Sequence, residues 1–357
     1  ARGWGRPLAD LFADLIGQPQ AVALLEAALR RRRLAPAYLF AGPEGVGRRL
    51  AALRFLEGLL ALPAEGEEGD AGEGAGEGST PLAGDPTLRR RLAQGNHPDL
   101  LWVEPTFQHQ GRLVPASQAD AEGVNRRAAP QLRLEQVREV SRFLARRPVE
   151  APGCLVVLDG AEAMAEAAAN ALLKTLEEPG TGRLILICAA PDQLLATIRS
   201  RCQQVPFARL SVEQVAAVLA GLPAAEGPAA AGVGEEPAEL LELAAGSPGA
   251  LLRHRARWRE LPEGLAARLL ALDPDPLQAL GLARDLSEAL DAEQQLWLLD
   301  WWQLALWRRL GRAEPLRRLE RLRSQLRAYV QPRLAWEVAL LQISGLTAAS
   351  GGGVAGR

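Results

Sequence analysis

Between an apolar run, Ala37-Tyr38-Leu39-Phe40-Ala41, and a helix-like segment from Leu50 onward, the chain carries Gly42-Pro43-Glu44-Gly45-Val46-Gly47-Arg48-Arg49. A strand, a glycine turn and a helix in that order constrain the fold more tightly than anything else here, because they are the opening unit of a parallel α/β sheet. The spacing is that of G-x-x-x-x-G-K-[ST], a loop whose backbone N–H groups cradle phosphates. Its Lys reaches the β/γ-phosphates and its Ser/Thr hydroxyl holds Mg²⁺. Here both of those positions are arginine. Arg48 keeps the positive charge on a planar fork that is bulkier than an ammonium. Arg49 has no oxygen to offer a metal. Gly42, Gly45, Gly47, Arg48 and Arg49 therefore outline a nucleotide site stripped of its hydrolytic side chains.

The rest of the first half continues the pattern. Leu100 to Glu104, Cys154 to Asp159 and Leu184 to Cys188 read as strands, the last two fully buried. Helices are predicted from Ala21 to Arg33, Leu134 to Ala145 and Ala165 to Glu178, which predicts a parallel sheet covered on both faces. The polar stretch from Thr106 to Pro130 reads as a connection. Ala64 to Gly78 holds six acidic side chains among glycines and no apolar anchor, so it is expected to be disordered. After Val205 the strands stop. Ser211 caps a helix, an Ala/Gly/Pro-rich connection follows, and from about Asp275 to Leu346 everything reads helical.

Composition narrows the function classes. A formal net charge of -2 over 357 residues does not suit non-specific nucleic-acid binding by the whole surface. The three cysteines, Cys154, Cys188 and Cys202, are far apart and include no C-x-x-C pair, so neither a zinc ribbon nor a disulfide framework fits. No signal-peptide pattern and no bilayer-length apolar run are present, and a cytoplasmic chain is expected. Lys174 is the one lysine, and it lies inside the most distinctive motif.

That motif is Ala167-Ala168-Ala169-Asn170-Ala171-Leu172-Leu173-Lys174-Thr175-Leu176-Glu177-Glu178-Pro179. Upstream, four apolar residues ending in Asp159 are similar to a Walker B strand, whose Asp holds Mg²⁺; the usual next Glu is Gly160. Downstream stands Thr197-Ile198-Arg199-Ser200-Arg201-Cys202. Together these resemble the bacterial clamp-loader branch of the AAA+ family, and within it the delta-prime subunits. The resemblance implies an AAA+ P-loop-like domain over 1–206, with 64–78 as an insertion. A helical lid over 207–270, a helical collar over 271–346 and a disordered tail over 347–357 would follow.

It also implies roles. Arg201, in Ser-Arg-Cys, would be an arginine finger acting in trans on a neighbouring subunit's ATP, where a guanidinium stabilises charge in phosphoryl transfer. The chain itself would have no intrinsic ATPase. Besides Arg48, Arg49 and Gly160, it shows alanines at the sensor-1 region, Ala189-Ala190-Pro191. It has no sensor-2 arginine in Gly246-Ser247-Pro248-Gly249. ATP held without hydrolysis stays open. Implied partners are the gamma/tau and delta subunits, the sliding clamp and, through the complex, primed DNA. The whole would belong to a DNA-directed DNA polymerase holoenzyme, with no membrane role. Subunits of this type commonly carry a four-cysteine zinc module where this chain has its acidic tract. His97 alone cannot replace it, so no zinc is expected. The competing readings are a hydrolysing gamma/tau-type motor and another DNA-binding AAA+ protein.

Trp297 and Trp301 share a helix face, with Trp302, Trp307 and Trp336 nearby in sequence. They are expected to pack a core or a subunit interface, the alternative being stacking on single-stranded bases. Arginines from Arg308 to Arg327 make that end basic, for DNA or for an intersubunit face.

Overall fold

The computed structural model describes residues 11–61, 85–119, 121–124, 129–178, 180–222, 237–272, 274–328 and 331–351, with side chains to 345. The acidic tract 64–78 and the chain beyond 351 lie outside them. The chain divides into two compact units, residues 1–218 and 219–357.

In the first unit, helix α1 (Pro19–Arg30) leads into β1 (Ala37–Ala41), and α2 (Arg48–Leu60) follows the glycine loop. Then come α3 (Pro86–Ala93), β2 (Leu100–Val103), the hairpin β3 (Thr106–His109) and β4 (Arg112–Pro115), and α4 (Leu134–Leu144). The unit finishes with β5 (Leu155–Asp159), α5 (Glu166–Glu177), β6 (Arg183–Cys188), α6 (Ala196–Arg201), β7 (Gln203–Pro206) and α7 (Val212–Ala220). Five strands pair in the order β2-β5-β6-β1-β7, every pairing parallel.

Strand period 2 explains how that sheet is covered. Leu39 of β1, Val156 and Leu158 of β5, and Leu184 and Leu186 of β6 face one side. There they pack with Val137 and Val140 of α4, Leu172 of α5 and Ile198 of α6. On the other, Phe55 of α2 sits edge-on to Tyr38 at 4.9 Å, and Phe40 lies 5.5 Å from Phe207. The alternating residues of each strand thus build two separate apolar layers.

Three elements depart from the sequence reading. The stretch read as a connection after Thr106 forms the hairpin, which turns at Gln110-Gly111 over its own small core of Phe107, Val114, Ala119 and Val124. Helix α3 is capped by Asp85, which accepts from Thr87 N at 2.9 Å, and tied to α2 by Arg89 against the buried Glu57 at 2.9 Å. Strand β7 closes the sheet edge beside β1.

The second unit is helical among its described residues: α8 (Ala238–Ala244), α9 (Pro248–Glu260), α10 (Leu265–Leu270), α11 (Pro276–Ala289), α12 (Ala292–Leu310), α13 (Ala313–Arg327) and α14 (Pro332–Gly351). Helix α14 packs on α11 and α13, and α12 on α8, α10 and α13. It also runs past residue 346, through alanines that favour helix, into the stretch expected to be a disordered tail. Trp301, Trp302 and Trp336 are completely enclosed, so the packing reading holds for them and base stacking does not; Trp307 alone of the group is half exposed. Trp336 Nε1 donates to Gln295 Oε1 at 3.0 Å, and Gln295 Nε2 donates to Leu290 O at 2.8 Å.

Candidate functional site

The glycine loop takes the conformation that its sequence demands. Gly45 and Gly47 hold positive φ, and Gly47 caps α2 without a side chain. Gly42 also has a positive φ, 156°, and packing excludes a side chain there as well: an added Cβ would lie 2.3 Å from the carbonyl oxygen of Phe207. Its presence therefore carries no evidence of a bound phosphate.

Arg48 and Arg49 begin α2 and diverge. Arg48 turns inward and is only 7% exposed, with Nε and Nη1 enclosed and lacking hydrogen-bond partners. Burial pulls its pKa down, while Glu162, Asp159, Cys188 and Glu44 push it back up. Arg49 is exposed, with 59% of its side chain open to solvent. Its Nε lies 3.0 Å from Asp159 Oδ2, and its guanidinium sits over the Trp102 ring, 5.2 Å from the centroid. Asp159, at the end of β5, is displaced upward from the ordinary carboxylate range by burial. Arg49 and Arg48 oppose that shift, and Glu104 and Glu162 add to it.

The position after Asp159 is closed to a catalytic carboxylate. Gly160 has φ of 75°, and an added Cβ would meet Pro105 at 2.9 Å. Glutamate there would be both strained and crowded. Glu162, two residues on, turns back instead: Ala189 N donates to its Oε1 at 3.1 Å. It thus anchors the turn after β6 and hydrogen-bonds the Cys188 thiol, whose pKa burial raises to about 12.

The structure thus brings Gly42, Gly45, Gly47, Arg48, Arg49 and Asp159 together. Sequence reasoning missed Trp102, Glu104 and the inward role of Glu162. The available signal was in the strand pattern: Trp102 pairs with Val157, on the strand that ends in Asp159. Arg201 lies elsewhere, at the last turn of α6 just before the edge strand β7. Its side chain is 37% exposed; Nη2 donates to Glu177 Oε1 at 2.8 Å and Nη1 to Thr197 O at 3.1 Å. Lys174 is not part of the loop. With Arg138 and Arg142 it lines a groove of about 1030 Å³ between α4 and α5. His97 is buried, its Nδ1 accepting from Asp99 N at 3.2 Å. No cluster of three or more metal-ligating side chains occurs among the described residues, and none of their helices is long and apolar enough to cross a membrane.

A parallel five-stranded sheet with a glycine loop after one central strand, followed by an all-helical region, defines an AAA+-like protein. The structure of a DNA polymerase III gamma subunit-related protein from Thermotoga maritima has that fold. It superposes with a TM-score of 0.50 at 16% identity, covering 90% of this chain and 98% of its own.

Sequence comparison is more specific. The family model described as DNA polymerase III, delta subunit, matches residues 17–211. The one described as cyanobacterial DNA polymerase III delta prime, C-terminal domain, matches 213–343. The chain belongs to the DNA polymerase III delta-prime subunit family. DNA polymerase III subunit delta' of Pseudomonas aeruginosa is 34% identical over 61% of this chain and 55% of its own length. That of Bacillus subtilis is 29% identical over 56% and 50%. The chain thus aligns over about half the length of these curated relatives.

Proposed function

We propose that the chain is the non-hydrolysing, stator-like member of a replicative clamp loader. It would assemble with gamma/tau and delta subunits to place a sliding clamp on primed DNA. Residues 207–270 serve as its lid and 271–346 as its collar. The observation that carries the absence of hydrolysis is the ion pair of Arg49 with Asp159. Phosphoryl transfer in this fold needs a lysine, a metal-binding hydroxyl and a water-orienting group. At those positions the chain has a buried arginine, an arginine engaged with the aspartate, and a glycine in left-handed backbone. A tau/gamma relative from Haemophilus influenzae is 30% identical over 62% of this chain, but a hydrolysing motor does not fit those three positions.

The active contribution is Arg201 in trans. A half-exposed guanidinium held by a surface carboxylate is free to exchange that partner for a neighbour's γ-phosphate, since such pairs contribute only about 0–1 kcal/mol. The test is phosphate release. The isolated chain is expected to release none above background, and adding it to gamma/tau and delta is expected to raise their DNA-dependent hydrolysis. Turnover that co-purifies with the isolated chain would refute the proposal.

A further inference from the structure

Lacking the groups for hydrolysis is one property; refusing the nucleotide is another. In this fold Mg²⁺ would be held by the hydroxyl at the end of the glycine loop and by the strand aspartate. Mg²⁺ demands oxygen ligands at about 2.0–2.1 Å in octahedral geometry. Here the hydroxyl position is Arg49, which supplies only N–H donors. The aspartate already has a cation against it, at 3.0 Å, backed by the Trp102 ring. The residues present do not fit the metal.

Nor do they fit a bare polyphosphate. Among the described residues, Arg49 and Arg48 are the cations that act on Asp159. Against them stand Asp159 itself, Glu162, Glu104 and Glu44, four carboxylates to two guanidiniums. An incoming triphosphate adds negative charge to a place that already has an excess of it. The free donors on Arg48, Nε and Nη1, would favour an anion, but both are sealed from solvent. Glu162, Asp159 and Glu44 raise the Arg48 pKa, so its charge already offsets theirs.

We infer that Arg49 is a built-in counter-ion standing where the metal would be, and that the glycine loop is closed to magnesium–nucleoside triphosphate. The inference rests on reading this loop as the altered P-loop of the proposed function. It makes the loop's fold independent of nucleotide, which suits a subunit that must hold one shape while its neighbours cycle.

The experiment is a thermal-shift series on the full chain with three probes: millimolar ATP with Mg²⁺, ATP with EDTA, and inorganic tripolyphosphate with EDTA. The native chain is expected to keep its midpoint within about 1 °C in all three, since a ligand stabilises only in proportion to its occupancy. The Arg48→Lys/Arg49→Thr double variant restores the loop's usual pair and frees Asp159. It is expected to gain a Mg²⁺-dependent rise of several degrees.

A rise in the native chain with any probe would overturn the inference, as would a folded double variant that gains nothing. Should the double variant not fold, equilibrium dialysis of the native chain against Mg²⁺–ATP decides alone: measurable retention refutes, none supports. Retention without phosphate release would overturn this inference and leave the proposed function standing. Phosphate release would overturn both.

Discussion

Asp99 stands just before β2 and accepts backbone N–H bonds from Val149, Glu150 and Ala151 at 2.7, 2.6 and 2.7 Å, pinning the turn that leads into β5. Burial alone would push its carboxyl up, but the three donors and neighbouring His97 hold it below the ordinary range. The sign follows: its stabilisation is complete above the unfolded pKa, about 4, and is lost as pH falls through the lower folded value. Asp99→Asn keeps one carbonyl acceptor for three donors. Bonds to a charged acceptor contribute about 1.5–3 kcal/mol each. Losing about two such bonds costs about 3–6 kcal/mol, so the variant is expected to melt roughly 6–24 °C below the native chain at pH 7. That gap should narrow on acidification below about pH 4. Melting curves from pH 7 to pH 3 test this, and a gap constant with pH would contradict it.

Elements differ in how plainly they were written. Strands β5 and β6 were legible because both faces are buried, so their residues run apolar without interruption. The β3–β4 hairpin was not, because its core is four residues and its strands mix polar and apolar side chains. Helix α3 was less plain because it is only eight residues long and its apolar stripe is just Leu88 and Leu92, with Arg89 adding an ion pair to the buried Glu57. The candidate site divides similarly. Its glycines, arginines and Asp159 are motif positions and could be read. Trp102 and Glu162 join only through strand register and a backward turn, which no local pattern encodes.

In the helical unit, the link from Leu290 through Gln295 to Trp336 is likewise invisible in sequence, and it joins α14 to α12 at a site closed to water. Gln295→Ala would leave an indole N–H and a backbone carbonyl unpaired and open a cavity, at a cost of about 2–4 kcal/mol. Thermal denaturation should show the midpoint lowered by about 5–10 °C. A change under about 1 °C would mean that the network is dispensable.

At the scale of the whole molecule, two arginines would have opposite duties in the proposed role. Arg49 is exposed but paired with its own chain's Asp159, and Arg201 lies at the surface at the end of α6, paired with Glu177. The proposed stator role would call for that pairing, a loop closed on its own chain and a guanidinium for a neighbour. The family matches span both the sheet and the helical region. An arginine finger contributes roughly 10³–10⁵ in rate where chemistry limits turnover. One finger among several ATP sites changes the steady-state rate far less.

The most direct measurement is therefore a comparison in reconstituted complexes carrying either the native chain or Arg201→Ala. Assembly, ATP hydrolysis and loading of the clamp on primed DNA would be followed on the same preparations. The account predicts normal assembly, a partial loss of hydrolysis and a larger loss of loading, because loading needs the sites to act together. Normal assembly with both activities unchanged would contradict the trans-acting role of Arg201.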